Sequence, residues 1–245
     1  MVAGDPLKGT PGCPNCLRVP PGYDKWLVQR ENAIYYNYKT IKSDNGGEHA
    51  WQTQHGSDYH KDYFPDLIAN RTLDMIEEFT SAEGDAKKPF VAVVSWPTAH
   101  GPFTPAPWAE HMFDGLKAPR HPNYNPSDDI QNQKHWLIRQ QGPIGEGLEG
   151  RLDKVHEKRV ESLQSVDEQV GMIVDLLERK GELDNTYIIY TSDNGFQLGQ
   201  HRLGSDKRHM YETDIRVPFV VSGPGFPRNV TTDRVVMNID IAPSI

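Results

Sequence analysis

The sequence predicts an α/β fold with a mostly parallel sheet flanked by helices, and three observations support this prediction. Residues 90–96 (FVAVVSW) and 187–191 (YIIYT) are short, β-branched apolar runs, the pattern of strands buried on both faces. Residues 151–180 carry Leu, Val and Ile at three- and four-residue steps, which predicts a long amphipathic helix. A strand, a helical crossover and a strand form a βαβ unit, so we expect the two strands to be parallel.

The other segments are predicted in chain order. Residues 1–65 lack sustained periodicity, which indicates a loop-rich segment with short elements. Residues 66–79 place apolar side chains at helical spacing and predict a second amphipathic helix. Residues 97–150 are rich in Pro, Asn and His, and an irregular stretch of that length usually shapes a functional site. Residues 217–221 (VPFVV) predict a third buried strand.

Composition and charge exclude two classes of protein. Lys and Arg number 26 against 34 Asp and Glu, the formal net charge is −8, and no basic run occurs, which argues against a nucleic-acid partner. The longest apolar stretches are far shorter than the roughly 20 residues of a membrane span. Protonation of all 10 histidines in an acidic compartment would bring the charge from −8 to +2, so an anionic ligand stays compatible there.

The two cysteines, Cys13 and Cys16, lie in one Cys-Pro-Asn-Cys run near the start of the chain. A redox pair, half of a zinc site and a local pair without function are the three interpretations. Zinc requires four ligands and the chain has no second cysteine pair, while a redox motif should follow a strand and open a helix. The surrounding Gly and Pro favour the third interpretation.

Two loops that follow predicted strands carry the candidate chemistry, because ligands bind beyond the carboxyl ends of strands in such sheets. His100 comes shortly after the strand at residues 90–96, and a single loop histidine is usually only a solvated side chain. Asp193, Asn194 and Gly195 come directly after the strand at residues 187–191. These three residues suit a simple turn, and their carboxylate and amide oxygens equally suit a hard cation such as Ca²⁺ or Mg²⁺.

The continuation of this loop favours the second interpretation. The Asp-Asn-Gly motif is followed, in order, by Gly199-Gln200-His201, Lys207, Tyr211-Glu212 and Arg216-Val217-Pro218. This order and spacing resemble the sulfatase family, and the stretch at residues 98–102 resembles the His-x-Pro element of that family. Five further stretches resemble the branch of the family that acts on 6-sulfated glucosamine: residues 19–24, 35–38, 134–140, 165–167 and 181–187.

The resemblance implies an alkaline-phosphatase-like sulfatase core and a sulfuric ester hydrolase that removes 6-O-sulfate from N-acetylglucosamine units of glycosaminoglycans such as heparan and keratan sulfate. Asp193 and Asn194 would be ligands of one Ca²⁺ that holds the sulfate group. Lys207 would contact a sulfate oxygen, and His100 would contact the ester oxygen and protonate the departing sugar. His201 is a weaker candidate for substrate binding.

The nucleophile of the family is a cysteine in a Cys-x-Pro-Ser-Arg motif that is oxidised to formylglycine, and this motif does not occur in the 245 residues. The Cys13 run does not match it. We therefore expect residues 1–245 to be a partial sulfatase catalytic domain, the C-terminal portion of the core, with an incomplete Ca²⁺ ligand set and no turnover by itself. The alternatives are an inactive relative that binds sulfated glycans and another phosphoesterase of the alkaline-phosphatase superfamily.

Cellular location is predicted from the resemblance and from two glycosylation sequons. The sequons begin at Asn70 and Asn229, and such sequons matter only in a chain that enters the secretory pathway. The sequence shows no secretory signal at its N-terminus. The resemblance implies a lysosomal or secreted glycoprotein, so we expect both asparagines to be modified.

Overall fold

The structure is a computed structural model that describes residues 19–30, 32–84 and 88–245. The chain divides into two compact units. The first unit consists of Met1–Asp114 and Glu157–Lys180, and the second of Gly115–His156 and Gly181–Ile245. The Cys13 and Cys16 run lies outside the described residues.

The described part of the first unit contains a small antiparallel sheet in the order β1-β2-β3. Its strands are β1 (Trp26–Gln29), β2 (Lys39–Ser43) and β3 (Trp51–Gln54). The central strand buries Thr40, Ile41 and Ser43, whereas the edge strand β3 is exposed along its length. The segment predicted to hold loops with short elements therefore contains three short strands.

Two helices follow the sheet, α1 (Tyr59–Asp62) and α2 (Phe64–Ser81). Asp58 caps α1 by accepting a hydrogen bond from the backbone N–H of His60 at 3.0 Å. A proline in the first turn suits the start of α2, since its missing N–H would be unpaired there. Phe64 and Ile68 on α2 pack with Tyr38, which confirms the helix predicted over residues 66–79.

The longest helix is α5 (Glu146–Arg179), which confirms the helix predicted over residues 151–180 and begins earlier than expected. Glu146 and Glu149 occupy the first turn, where negative charge stabilises a helix. Its residues up to 156 belong to the second unit and those from 157 to the first.

Residues 90–96 are not a strand, which corrects the first strand prediction. Val91 and Val93 are 67% and 75% exposed. Trp96 donates its indole N–H to Gln169 Oε1 at 2.6 Å, so side-chain contacts hold this end of the run. Apolar composition makes a strand only when another strand pairs with its backbone, and no described residue does so here.

The second unit holds the remaining strands, and every ladder in the described ranges is antiparallel. Strand β4 (Ile188–Thr191) pairs with β7 (Phe219–Ser222), and β5 (Gln197–Leu198) pairs with β6 (Ser205–Asp206). The predicted strands at 187–191 and 217–221 are thus present and paired with each other. The parallel pairing of residues 90–96 with β4 is not found, because only one of the two segments lies in a ladder.

Short helices and irregular backbone make up the rest of the second unit. Its core contains Ala118, Ile144, Leu152 and Leu198. The irregular stretch predicted over residues 97–150 is confirmed up to residue 145, apart from two single helical turns and an isolated bridge between Tyr124 and Gln200. Residues 146–150 belong to α5 instead. The short α-helices of the unit are α3 (Asp128–Gln131), α4 (Trp136–Arg139), α6 (Glu212–Ile215) and α7 (Ile241–Ser244). None of the helices in the described ranges combines the length and the apolar character needed to cross a bilayer.

Candidate active site

The Asp193–Asn194 turn begins where β4 ends, as predicted. Asp193 is exposed, and its Oδ1 accepts the backbone N–H of Asn194 at 2.9 Å. The side-chain amide of Asn194 donates to the carbonyl of Gly195 at 2.7 Å. This hydrogen bond uses the side-chain nitrogen of Asn194 and not its side-chain oxygen. Two oxygen-bearing side chains are thus held next to each other in a tight turn.

Helix α6 anchors this turn through its backbone. Gly195 donates its N–H to the carbonyl of Asp214 at 2.8 Å, and Phe196 donates to the carbonyl of Thr213 at 2.8 Å. A Cβ on Gly195 would lie only 1.9 Å from the Thr213 carbonyl oxygen. Glycine is required here because the two backbones approach too closely for any side chain.

Lys207 follows β6 in the same unit and is partly buried. Its backbone N–H donates to Oδ1 of Asp206 at 2.8 Å. The next residue, Arg208, has a φ of 155°, a conformation that side-chain-bearing residues rarely adopt. Oδ2 of Asp214 accepts the N–H groups of Arg208 and His209 at 2.8 and 2.6 Å. The segment carrying Lys207 is therefore held by α6 as well.

Sequence reasoning missed Asp214. It lies between two of the motifs that carried the resemblance, Tyr211-Glu212 and Arg216-Val217-Pro218, and this position is the only signal that could have drawn attention to it. The role of this acidic residue cannot be inferred from sequence alone, because its carboxylate accepts backbone N–H groups from residues five and six positions earlier.

His201 is buried in the second unit and 8% exposed. Its ring stacks on Tyr211 with 4.1 Å between the ring centroids. The side-chain amide of Gln131 donates to the carbonyl of His201 at 3.1 Å, which supports a backbone with a φ of 54°. Among the described residues Nδ1 of His201 has no hydrogen-bond partner. Its surroundings are those of a packed side chain, and substrate contact by His201 stays a prediction.

We expect acid to destabilise the protein partly through His201. Burial lowers its pKa below the ordinary value of 6.5, and the nearby charge of Lys134 lowers the pKa further. The unfolded chain therefore binds the proton more readily, so the stability contributed by neutral His201 is complete above 6.5 and falls as the pH drops toward the lowered pKa. Urea unfolding from about pH 7.5 to about pH 5 should show a smaller loss of stability in His201→Phe than in the parent chain. Equal losses would contradict the prediction.

His100 lies in the first unit, in the turn after residues 90–97, whereas Asp193, Asn194, His201 and Lys207 lie in the second. Its Nδ1 is 2.9 Å from the carbonyl oxygen of Gly101. A carbonyl oxygen only accepts, so Nδ1 carries a proton and Nε2 is left for other chemistry.

Three side chains hold the backbone around His100. The hydroxyl of Tyr35 donates to the carbonyl of His100 at 3.0 Å, and that of Tyr63 donates to the carbonyl of Thr104 at 2.9 Å. Arg159 on α5 donates to the carbonyl of Ala99 at 2.8 Å. Burial raises the pKa of Tyr35 to about 12, which keeps its hydroxyl protonated as a donor.

Among the described residues, two groups could hold a metal. Asp193 and Asn194 offer the oxygen atoms that Ca²⁺ accepts, so their chemistry fits, but a Ca²⁺ site needs about six to eight oxygens. In the first unit, carboxylate oxygens of Asp114, Glu157 and Glu161 lie within 4.8 Å of one another. Glu161 already accepts the backbone N–H of His111 at 2.9 Å and pairs with a lysine, so it serves the fold.

The two sequon asparagines, Asn70 and Asn229, are both exposed. Asn70 lies on α2 and belongs to the first unit. Asn229 lies in the irregular segment after β7 with a φ of 56°. A glycan attached at either position would start from the surface of its unit.

Comparison with known proteins identifies the family. The sulfatase family model matches residues 11–245. The chain belongs to the sulfatase family. It is 41% identical over 238 residues to N-acetylglucosamine-6-sulfatase of Bos taurus, covering 97% of this chain and 40% of that protein. It is 37% identical over 228 residues to the extracellular sulfatase SULF-1 homolog of Drosophila melanogaster, covering 92% of this chain and 19% of that protein.

Solved structures agree with the sulfatase assignment at the level of the fold. A protein solved in complex with its substrate, D-glucosamine-2-N,6-O-disulfate, has a TM-score of 0.71 and 22% identity, covering 93% of this chain and 55% of that one. This similarity confirms the alkaline-phosphatase-like α/β class. The chain spans 40% of the length of the bovine relative.

Proposed function

We propose that these residues form part of a sulfuric ester hydrolase that removes 6-O-sulfate from N-acetylglucosamine units of glycosaminoglycans. One observation carries the proposal: the Asp193–Asn194 turn and the Lys207 segment are both hydrogen-bonded to α6 in one compact unit. The 41% identity to a bovine N-acetylglucosamine-6-sulfatase supports the substrate. The protein of similar fold that was solved with its substrate D-glucosamine-2-N,6-O-disulfate also supports this substrate class.

In this proposal each candidate residue has a defined role. Asp193 and Asn194 would supply part of the shell of a Ca²⁺, which as a bound ion neutralises charge on the sulfate group. Lys207 would place its ammonium group against a sulfate oxygen, where a compact cation stabilises developing negative charge. His100, in its protonated form, would donate a proton from Nε2 to the departing sugar oxygen. His201 would be a weaker candidate for substrate contact.

The nucleophile is the part of the proposed chemistry that these residues do not supply. The formylglycine of the family derives from a cysteine in a motif that is not found in the 245 residues. We therefore propose that the chain by itself binds a sulfated sugar and does not hydrolyse it. We further propose a lysosomal or secreted location, with glycans on Asn70 and Asn229.

Binding of glucosamine 6-sulfate to the full 245-residue chain tests the proposal. We expect Ca²⁺-dependent binding in titration calorimetry, weakened about tenfold or more in Lys207→Ala, because a charge-assisted contact is lost. Lys117→Ala is the matched control, since Lys117 is an exposed lysine of the same unit, and it should bind as the parent chain does.

Three outcomes would each contradict a different part of the proposal. Equal binding by the parent chain and Lys207→Ala would remove Lys207 from the site. Tighter binding of glucosamine 6-phosphate than of the sulfate would favour a phosphoesterase. Aryl sulfate hydrolysis by the pure chain, abolished in Lys207→Ala, would contradict only the expected lack of turnover.

A further inference from the structure

We propose that Asp214 is a positioning residue that holds the Lys207 segment in a defined place relative to the Asp193–Asn194 turn. The inference rests on the proposed function for the roles of those three residues and adds Asp214 to them. Asp214 does not need to contact the substrate in this proposal. It acts through the backbones of the two segments to which it is hydrogen-bonded.

The hydrogen bonds of Asp214 point in two directions. Its carbonyl oxygen accepts the N–H of Gly195, the residue after the proposed metal ligands, at 2.8 Å. Its Oδ2 accepts the N–H groups of Arg208 and His209, the two residues after Lys207, at 2.8 and 2.6 Å. One residue of α6 therefore binds the backbone of both proposed site segments.

Burial makes this connection strong. Asp214 is 5% exposed, so water competes little for its carboxylate. Hydrogen bonds from N–H groups to a carboxylate are charge-assisted, and they strengthen when water is excluded. The backbone of Asp214 is itself fixed, because its N–H donates to the carbonyl of Tyr211 at 2.8 Å.

Two features of Asp214 indicate a role beyond stability. Among the described residues its Oδ1 is buried without a hydrogen-bond partner, which is an unfavourable use of a carboxylate in a fold. One of the two N–H groups that Oδ2 accepts belongs to Arg208, whose φ of 155° is strained for a residue with a side chain. Strained backbone persists where the surroundings over-determine it, and it occurs preferentially at functional sites.

Hydrogen exchange of the full chain tests the connection directly. In Asp214→Ala we expect the amides of residues 205–211 to exchange about tenfold faster or more, because two charge-assisted hydrogen bonds are lost. The paired strands β4 and β7 should stay protected. Asp214→Asn keeps one side-chain oxygen as acceptor, so its effect should be intermediate.

Asp153→Asn is the matched control. Oδ1 of Asp153 also accepts a backbone N–H, that of Ala118 at 2.9 Å, within the same unit. This control should leave exchange in residues 205–211 unchanged. If Asp214→Ala also leaves it unchanged, or if both variants accelerate it equally, the inference is overturned.

Chemical acylation of the Lys207 amine tests the functional consequence. If Asp214 had a purely structural role, its substitution would not change how well a ligand protects Lys207 from acylation. Glucosamine 6-sulfate with Ca²⁺ should slow acylation of Lys207 in the parent chain and in Asp153→Asn, less in Asp214→Asn and least in Asp214→Ala. Full protection in Asp214→Ala would overturn the inference. No protection in the parent chain would instead contradict the proposed function, and the exchange experiment would still decide the role of Asp214.

Discussion

Gly195→Ala is expected to lower the free energy of unfolding of the second unit by about 3 kcal/mol, a large effect for one added methyl group. The new Cβ would lie 1.9 Å from the carbonyl oxygen of Thr213, 2.8 Å from its carbonyl carbon and 3.2 Å from Cα of Asp214. All three are backbone atoms and cannot move aside as a flexible side chain can. Relief requires separating the turn after β4 from α6, which breaks the hydrogen bonds donated by Gly195 and Phe196.

Urea unfolding, monitored by hydrogen exchange of amides in the second unit, measures this loss of stability. Gly204→Ala is the matched control, because a Cβ at that exposed position of the same unit meets no atom within 4 Å. We expect the control to change stability by less than about 0.5 kcal/mol. A similar, small loss in both variants would show that the turn adjusts to a side chain and that the close approach is not rigid.

Tyr63→Ala should lower the free energy of unfolding of the first unit by about 4 kcal/mol. Tyr63 is 1% exposed, and its ring packs near those of Tyr35, Tyr36 and Tyr59, with centroid distances of 6.0, 5.5 and 5.6 Å. Truncation would leave a cavity in this aromatic cluster. It would also leave the carbonyl of Thr104 without its hydrogen bond, near the loop of His100.

Tyr63→Phe separates the two contributions. This variant keeps the ring and loses only the hydroxyl, so we expect a cost of about 1 kcal/mol. Denaturant unfolding of both variants gives the two costs on one scale. A phenylalanine variant as unstable as the alanine variant would mean that the hydrogen bond to Thr104, and not packing, is the main contribution of Tyr63.

The two long helices, α2 and α5, and the second and third predicted strands followed from local pattern. Helix α5 was predictable because apolar side chains at three- and four-residue steps bury one face whatever lies against it. Residues 90–96 were predicted as a strand and are not one. A strand requires a second backbone to pair with, and an apolar run does not indicate whether such a partner is present. The antiparallel pairing of β4 with β7 was likewise not specified by either sequence.

Within the candidate site, Asp193, Asn194, Lys207 and His100 were predicted from the resemblance of their motifs to those of the sulfatase family. Only the tertiary structure showed that α6 is hydrogen-bonded to the backbone directly after Asn194 and directly after Lys207, and that Gly195 has no room for a side chain. The physical reason is that residue type and order determine which chemistry is available. Which backbone groups approach one another depends on contacts between segments that are distant in sequence, and a single sequence does not encode those contacts in any local pattern.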